Sequence, residues 1–136
     1  MAQVSMTNTN DKTQIETKSM SLPRMMLSVE GLTVFISSIA AYWFVGANWW
    51  MFLILLLSPD LVFIIYMMDK RIGTIAYNIM HTYTLPVAMM MVSLFAGWQL
   101  GITLAIIWFA HIGMDRTVGY GLKYQSDFKD THLQRA

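Results

Sequence analysis

The chain has 136 residues, of which 56% are hydrophobic and only 12% charged. A water-soluble domain carries about 25% charged residues, and a short chain needs polar groups over most of its surface. A lone soluble globule is therefore excluded, and lipid is the expected solvent. The net charge of +1 offers no basic field for a nucleic acid. With no Cys, disulfides, thiolate metal sites and Cys nucleophiles are excluded together.

Residues 1–21 are rich in Ser, Thr, Asn, Gln and Lys, with no apolar core that would make a signal peptide. They read as a disordered polar tail. Four apolar stretches follow, at 27–45, 49–68, 72–96 and 100–118, inside a transmembrane domain spanning 22–118. Each is about 19–25 residues, the length that crosses a ~30 Å hydrocarbon core as helix. The connections are short: Gly46 to Asn48, Asp69 to Arg71, and Gly97 to Gln99. Short connections make neighbours antiparallel. The predicted fold is an all-α integral membrane protein, a four-transmembrane-helix bundle running up-down-up-down. No internal repeat is visible.

Orientation follows from Lys and Arg. All nine lie in the tail (Lys12, Lys18, Arg24), the middle connection (Lys70, Arg71) or the C-terminal part (Arg116, Lys123, Lys129, Arg135). Both termini and the middle connection are therefore expected on the cytoplasmic side of the plasma membrane. Trp49, Trp50 and Trp98 would mark the opposite interface. The many Met and Phe residues, Met89 to Met91 among them, read as packing or lipid-facing groups.

Ionisable groups inside such spans cost roughly 2.5–3.5 kcal/mol or more each near the bilayer centre. Glu30, Asp60, Asn78, His81, His111 and Asp115 nevertheless interrupt the apolar stretches. At ~1.5 Å per residue, Asp60 lies ~14 Å in from Asp69, and His81 ~15 Å in from Arg71. His111 and Asp115 lie ~16 and ~22 Å from Leu100, and Glu30 ~22 Å from Val45. All fall at mid-membrane or in the cytoplasmic half, so four helices contribute to one polar slab.

Spacing sharpens the pattern. His111 and Asp115 are i,i+4; Asn78 and His81 are i,i+3, and Tyr77 is i,i+4 to His81. On the first helix, Ser37, Ser38 and Ala41 follow Glu30 on a small polar stripe expected to face the bundle. Pro59 leaves a carbonyl unpartnered and is expected to open or kink the second helix beside Asp60. Imidazoles and carboxylates on facing helices are how bundles build metal sites, and this mixture suits Zn, Mn or non-haem Fe. Plainer readings stand beside this one. Glu30 would pair with Arg24 or Arg116, Asp115 with Arg116, and Asn78 would bond to a neighbouring element. The remaining groups would then form an inert hydrogen-bonded network.

Several blocks resemble a known family. They are Ser58-Pro59-Asp60-Leu61, the run from Ala76 to Tyr83, and the run from Ala110 to Arg116. The runs from Gly119 to Tyr124 and from Phe128 to Leu133 complete the set. Together, over about residues 25–135, they resemble the small four-helix bacterial membrane family termed domain of unknown function 4260. That resemblance implies a membrane fold and no assigned chemistry. More distantly, Pro-Asp, His-Thr and His-x-x-x-Asp in successive helices are similar to inner-membrane metal-dependent hydrolases of the YdjM-like kind. That likeness implies Asp60, His81, His111 and Asp115 as metal ligands. Val62 and Ala76 stand where further Asp and His ligands would fall, which removes two groups that a two-metal centre would use.

The leading expectation is an intramembrane metal site opening to the cytoplasm, with Glu30 as general base, hydrolysing an amphiphilic ester or phosphoester. Tyr77, Asn78, Asp130 and His132 are the supporting polar groups. Residues 119–136 form a cytoplasmic segment expected to act as a lid over the site, with Gly119 and Gly121 turning the chain back. Three other classes use the same residues: a b-type haem on His81 and His111, proton or ion translocation through the slab, and an accessory subunit of a membrane complex. Expected partners are the lipid bilayer and a homo-oligomer or larger membrane complex, with no nucleic acid.

Overall fold

A computed structural model describes residues 21–123 and 131–135. The polar tail, except Ser21, lies outside the described residues, as does Asp130. Among the described residues the fold is all-helical, with one isolated antiparallel bridge between Lys123 and Thr131.

Helix α1 (Leu22–Val45) starts five residues before the expected 27, because Pro23 fits the first turn, where its missing N–H has no helical partner. It ends at Gly46, whose left-handed φ of 69° lets its N–H bond back to Tyr42 and Trp43. Asn48 then caps α2 (Trp49–Leu56) by accepting from the Trp50 N–H at 2.8 Å. The expected continuous second helix is instead broken. Pro59 has no N–H for the Leu55 carbonyl, so the chain tightens into a 3₁₀ turn (Ser58–Val62) before α3 (Phe63–Met68).

Asp69 caps α4 (Lys70–Met80) through the N–H groups of Arg71 and Ile72. The third apolar stretch is also two helices rather than one. It breaks at residues 81–83 and resumes as α5 (Thr84–Ala96), bent by 45°. Pro86 supplies the reason, since it has no N–H for the Thr82 carbonyl. Helix α6 (Gln99–Val118) follows, and α7 (His132–Arg135) closes the described chain.

Helix α6 is the centre of the molecule, with its buried residues running from Gly101 to Gly113. α1 lies antiparallel along it, with Gly31 and Gly113 in contact. A Cβ on Gly113 would stand 2.8 Å from the Gly31 carbonyl and 2.7 Å from the Phe35 amide. Only glycine permits that approach. Further along, Tyr42, Phe52, Ile106, Ile107 and Ala110 form the apolar core. Of the expected inward stripe on α1, Ser38 is buried and donates to the Val34 carbonyl at 2.8 Å, whereas Ser37 is exposed. Consecutive helical residues sit 100° apart, which turns Ser37 off the buried side that Ser38 occupies.

The outer surface is apolar. Phe44, Ile54, Met67, Met68 and Phe95 are each more than 70% exposed, an arrangement that water would not tolerate and lipid favours. Two helical stretches, Leu22–Val45 and Trp49–Met68, are long and apolar enough to cross a membrane. The bent α4–α5 pair makes a third if it counts as one span.

Candidate metal centre

The two helix breaks and the end of α6 bring Asp60, His81, His111 and Asp115 together. Their candidate ligand atoms all lie within 4.8 Å of one another. His81 Nε2 stands 3.3 Å from Asp60 Oδ1 and 3.5 Å from Asp115 Oδ2. His111 Nε2 stands 3.6 and 3.8 Å from the same two oxygens, and 3.1 Å from His81 Nε2. Four ligands at ~2.0–2.1 Å from one Zn ion would be spaced about 3.4 Å apart along tetrahedral edges. Five of the six edges here scatter around that spacing.

Local backbone chemistry sets the two imidazoles. His111 Nδ1 lies 2.7 Å from the Leu56 carbonyl, and His81 Nδ1 lies 2.9 Å from the Tyr77 carbonyl. A carbonyl only accepts, so both Nδ1 atoms carry protons and donate. In the neutral rings both Nε2 atoms then present lone pairs to the centre. The Leu56 carbonyl is available because the 3₁₀ turn diverts the Asp60 N–H to Leu57, at 3.2 Å. Pro59 thus serves the site twice, by placing Asp60 and by freeing the anchor of His111. At the second break, the Trp108 indole N–H donates to the Met80 carbonyl at 2.8 Å and occupies the end of α4.

With both rings neutral, four acceptor atoms surround one point, and a cation at that point would satisfy all of them. A proton on one Nε2 forms one near-linear bond, whereas a metal ion satisfies four lone pairs at once. The donor set therefore fits a divalent ion. It does not fit haem, which requires its two ring nitrogens on opposite faces of a macrocycle. Here those nitrogens are 3.1 Å apart beside two carboxylates, with no slot between them.

The centre is sealed on one side and open on the other. The side chain of His111 is 0% exposed and that of His81 3%, against 14% for Asp115 and 47% for Asp60. Asp60 and Asp115 border a cavity of about 340 Å³, lined also by Phe63, Tyr77, Tyr120 and Lys123. Tyr77 stacks on His81 with ring centroids 3.7 Å apart, and its hydroxyl is 3.5 Å from Asp115 Oδ2.

The other expected residues have different placements. Glu30 is exposed on α1, because the neighbouring Gly31 takes the face against α6, and it does not join the group. Asn78 bonds to backbone rather than facing the centre: its amide donates to the Lys123 carbonyl at 2.9 Å and its oxygen accepts from the Lys123 N–H at 2.7 Å. His132 stands apart from the group as well. Its Nδ1 accepts from the Leu122 N–H at 2.9 Å, and its Nε2 is 3.3 Å from Arg116 Nη1. Burial and then the Arg116 charge push the His132 imidazole down from its ordinary value.

Lys123 is the residue that sequence reasoning missed. Its ammonium lies 4.0 Å from the Tyr77 ring centre and 5.4 Å from those of Phe63 and Tyr66. Burial lowers its pKa to about 8, against the opposing pull of Asp60 and Asp115.

The family model described as "Domain of unknown function (DUF4260)" matches residues 24–136. The chain belongs to this family. All four residues of the centre, the Asn78–Lys123 pairing and the α6 glycine contact lie within the part that matches DUF4260. No curated protein and no solved structure matches the chain.

Proposed function

We propose that this DUF4260 protein is a four-span plasma-membrane protein that binds one divalent ion, Zn, Mn or Fe. The ligands are Asp60, His81, His111 and Asp115. The observation that carries the reading is the convergence of two Nε2 atoms and two carboxylate oxygens with both Nδ1 protons committed to carbonyls.

Four spans are supported by the two long apolar stretches, the bent α4–α5 pair and α6. The 20 residues of α6 reach ~30 Å, and α1 covers its polar end. Every Lys and Arg lies within residues 12–24, at 70–71 or within 116–135, at the ends of the apolar stretches that would share one side, which supports cytoplasmic termini.

The chemistry proposed is hydrolysis of an ester or phosphoester on an amphiphilic substrate. A bound divalent ion lowers the pKa of its water and polarises the ester oxygen. The residues of the chain do the rest. The Leu56 and Tyr77 carbonyls fix the imidazoles, the rings of Phe63 and Tyr77 give the cavity an apolar wall, and Asp60 opens the centre towards it. Tyr120 and Lys123 line the same cavity, which supports the lid role for the C-terminal segment.

Metal analysis of protein purified in detergent and reconstituted with Zn, Mn or Fe tests this reading. One ion per chain is expected, with turnover of a long-chain nitrophenyl ester or phosphoester that chelation abolishes. Folded protein that takes up none of the three metals would overturn it.

A further inference from the structure

We propose that the groove between α1 and α5 holds an aminophospholipid, an acyl chain lying along it and the zwitterionic headgroup spanning Arg116 and Glu30. None of these residues belongs to the metal centre, so the inference stands apart from that reading.

The groove follows from small side chains. Helices α1 and α5 both pack on α6, and between them Ser37 and Ala41 are too short to close the gap. What remains is a cavity of about 310 Å³. Its walls are Val34, Ser37 and Ala41 of α1, Met90 of α5, and Ile106 and Phe109 of α6. The Thr33 and Ser38 hydroxyls on its border donate to the Val29 and Val34 carbonyls at 2.9 and 2.8 Å. Engaged by their own helix, they leave a wall suited to hydrocarbon.

Two opposite charges stand at one end. Glu30 precedes Val34, Ser37 and Ala41 at a spacing of i, i+4, i+7, i+11, so one stripe of α1 carries both the carboxylate and the groove wall. On α6, Arg116 lies two turns beyond Phe109 on the same face. Its Cβ packs against Gly31, where an added Cβ would stand 2.6 Å away. The guanidinium carbon lies 5.0 Å from the centre of the Tyr83 ring, and that ring stacks on Phe109 at 6.0 Å. The Glu30 carboxylate is within electrostatic reach of the same tyrosine. Both charges therefore flank Tyr83 where the groove ends.

They do not neutralise each other. Among the described residues neither Arg116 nor Glu30 makes an ion pair. The other charges nearby are turned elsewhere, Arg24 to Gly119 and Asp115 to the metal centre. A guanidinium and a carboxylate, both unpaired at the end of an apolar groove, complement a zwitterion. The phosphate accepts from the guanidinium N–H groups, and a primary ammonium donates to the Glu30 carboxylate. An anionic headgroup would serve Arg116 and leave Glu30 unmet. A quaternary ammonium has no N–H to donate.

The test uses the full chain, delipidated in detergent and titrated with dioleoyl phosphatidylethanolamine, phosphatidylcholine or phosphatidylglycerol. Native mass spectrometry counts the lipids retained, and circular dichroism confirms that each variant is folded. One phosphatidylethanolamine per chain is expected, held about tenfold more tightly than either other lipid. Glu30→Gln should erase the preference over phosphatidylcholine. Arg116→Gln should weaken all three lipids, while Arg116→Lys, which keeps the charge, should retain most of the binding. Ser37→Leu fills the groove from an exposed position and should weaken all three with the polar end intact. Equal retention of phosphatidylethanolamine and phosphatidylcholine by the wild type overturns the pairing with Glu30. Tighter binding of phosphatidylglycerol overturns the zwitterion. Undiminished binding in Ser37→Leu overturns the groove as the place of the chain.

Discussion

The Nε2 atoms of His81 and His111 face each other across 3.1 Å while both Nδ1 atoms are tied to backbone carbonyls. Two imidazoles held this way repel unless something positive lies between them. Replacing either one deletes a ligand and a buried anchor together. His81→Ala and His111→Ala should each abolish stoichiometric metal uptake, measured by elemental analysis after gel filtration. His132→Ala should keep its metal, because that ring bonds to Leu122 and lies near Arg116 instead. Retention of one ion per chain by both site variants would remove the centre.

Metal removal should also be visible in stability. An ion bound only by the folded protein stabilises it by about 2.7 kcal/mol at a hundredfold excess over its dissociation constant. Wild-type protein should therefore melt several degrees lower in chelator than in excess metal, while His111→Ala should melt identically in both. A wild-type melting temperature indifferent to metal would contradict the site.

The contact between Gly31 and Gly113 predicts a packing cost with no chemical component. A Cβ at Gly113 would meet the Gly31 carbonyl at 2.8 Å and the Phe35 backbone at 2.7 Å, neither of which is a flexible side-chain end. Gly113→Ala should destabilise the protein by about 1–3 kcal/mol by overpacking. Ala40→Leu, on the exposed face of α1, should be close to neutral. Thermal unfolding in detergent measures both, and equal stability of the two variants would mean that α1 does not sit this close to α6.

Much of this site was legible in the sequence. Asp60, His81, His111 and Asp115 interrupt long apolar runs, and isolated polar groups in such runs can avoid lipid only by facing one another. The break at Pro59 was legible too, since a missing N–H acts locally. The break at residues 81–83 was not, because the apolar run continues to Ala96 and Pro86 stands five residues beyond His81. Nor was Lys123. Its burial depends on Asn78, 45 residues away, pairing with its backbone, and no local pattern encodes that pairing. Among cations on the polar side, Lys123 looked like another orientation signal. Glu30 misled in the opposite direction: it shares the depth of the slab, but its azimuth on α1 is fixed by the glycine contact next to it.

The Asn78 clasp makes a separable prediction. Asn78→Ala removes two hydrogen bonds to Lys123, worth about 1 kcal/mol each, without touching any proposed ligand. Hydrogen exchange at the Lys123 amide should accelerate about tenfold or more, with metal content unchanged. Unaltered exchange would show that the Thr131 bridge and the packing of Leu133 hold the segment by themselves.

Topology can be tested directly, because the chain contains no Cys. Single cysteines placed at Asn48 or Gln99 should react with a membrane-impermeant maleimide added outside intact cells. A cysteine at Lys70 should react only after the membrane is opened. The reverse pattern would overturn the proposed orientation, and labelling of all three from outside would overturn the four-span arrangement.

Pro59 offers the sharpest test of how backbone and site are linked. With Pro at this position the Leu55 carbonyl loses its helical donor, the chain tightens, and the Asp60 N–H turns to Leu57. The Leu56 carbonyl is thereby left for His111 Nδ1 at 2.7 Å. Pro59→Ala restores an N–H and lets α2 continue as regular helix, in which the Asp60 N–H would bond to Leu56 and compete with His111. The substitution leaves all four ligand side chains present. Metal affinity should nevertheless fall about 10- to 100-fold, the usual cost of losing the group that orients a ligating histidine. Helical content by circular dichroism should rise slightly, which separates this effect from misfolding. Unchanged affinity alongside increased helicity would show that His111 holds its orientation without the Leu56 carbonyl, and that the 3₁₀ turn serves only to place Asp60.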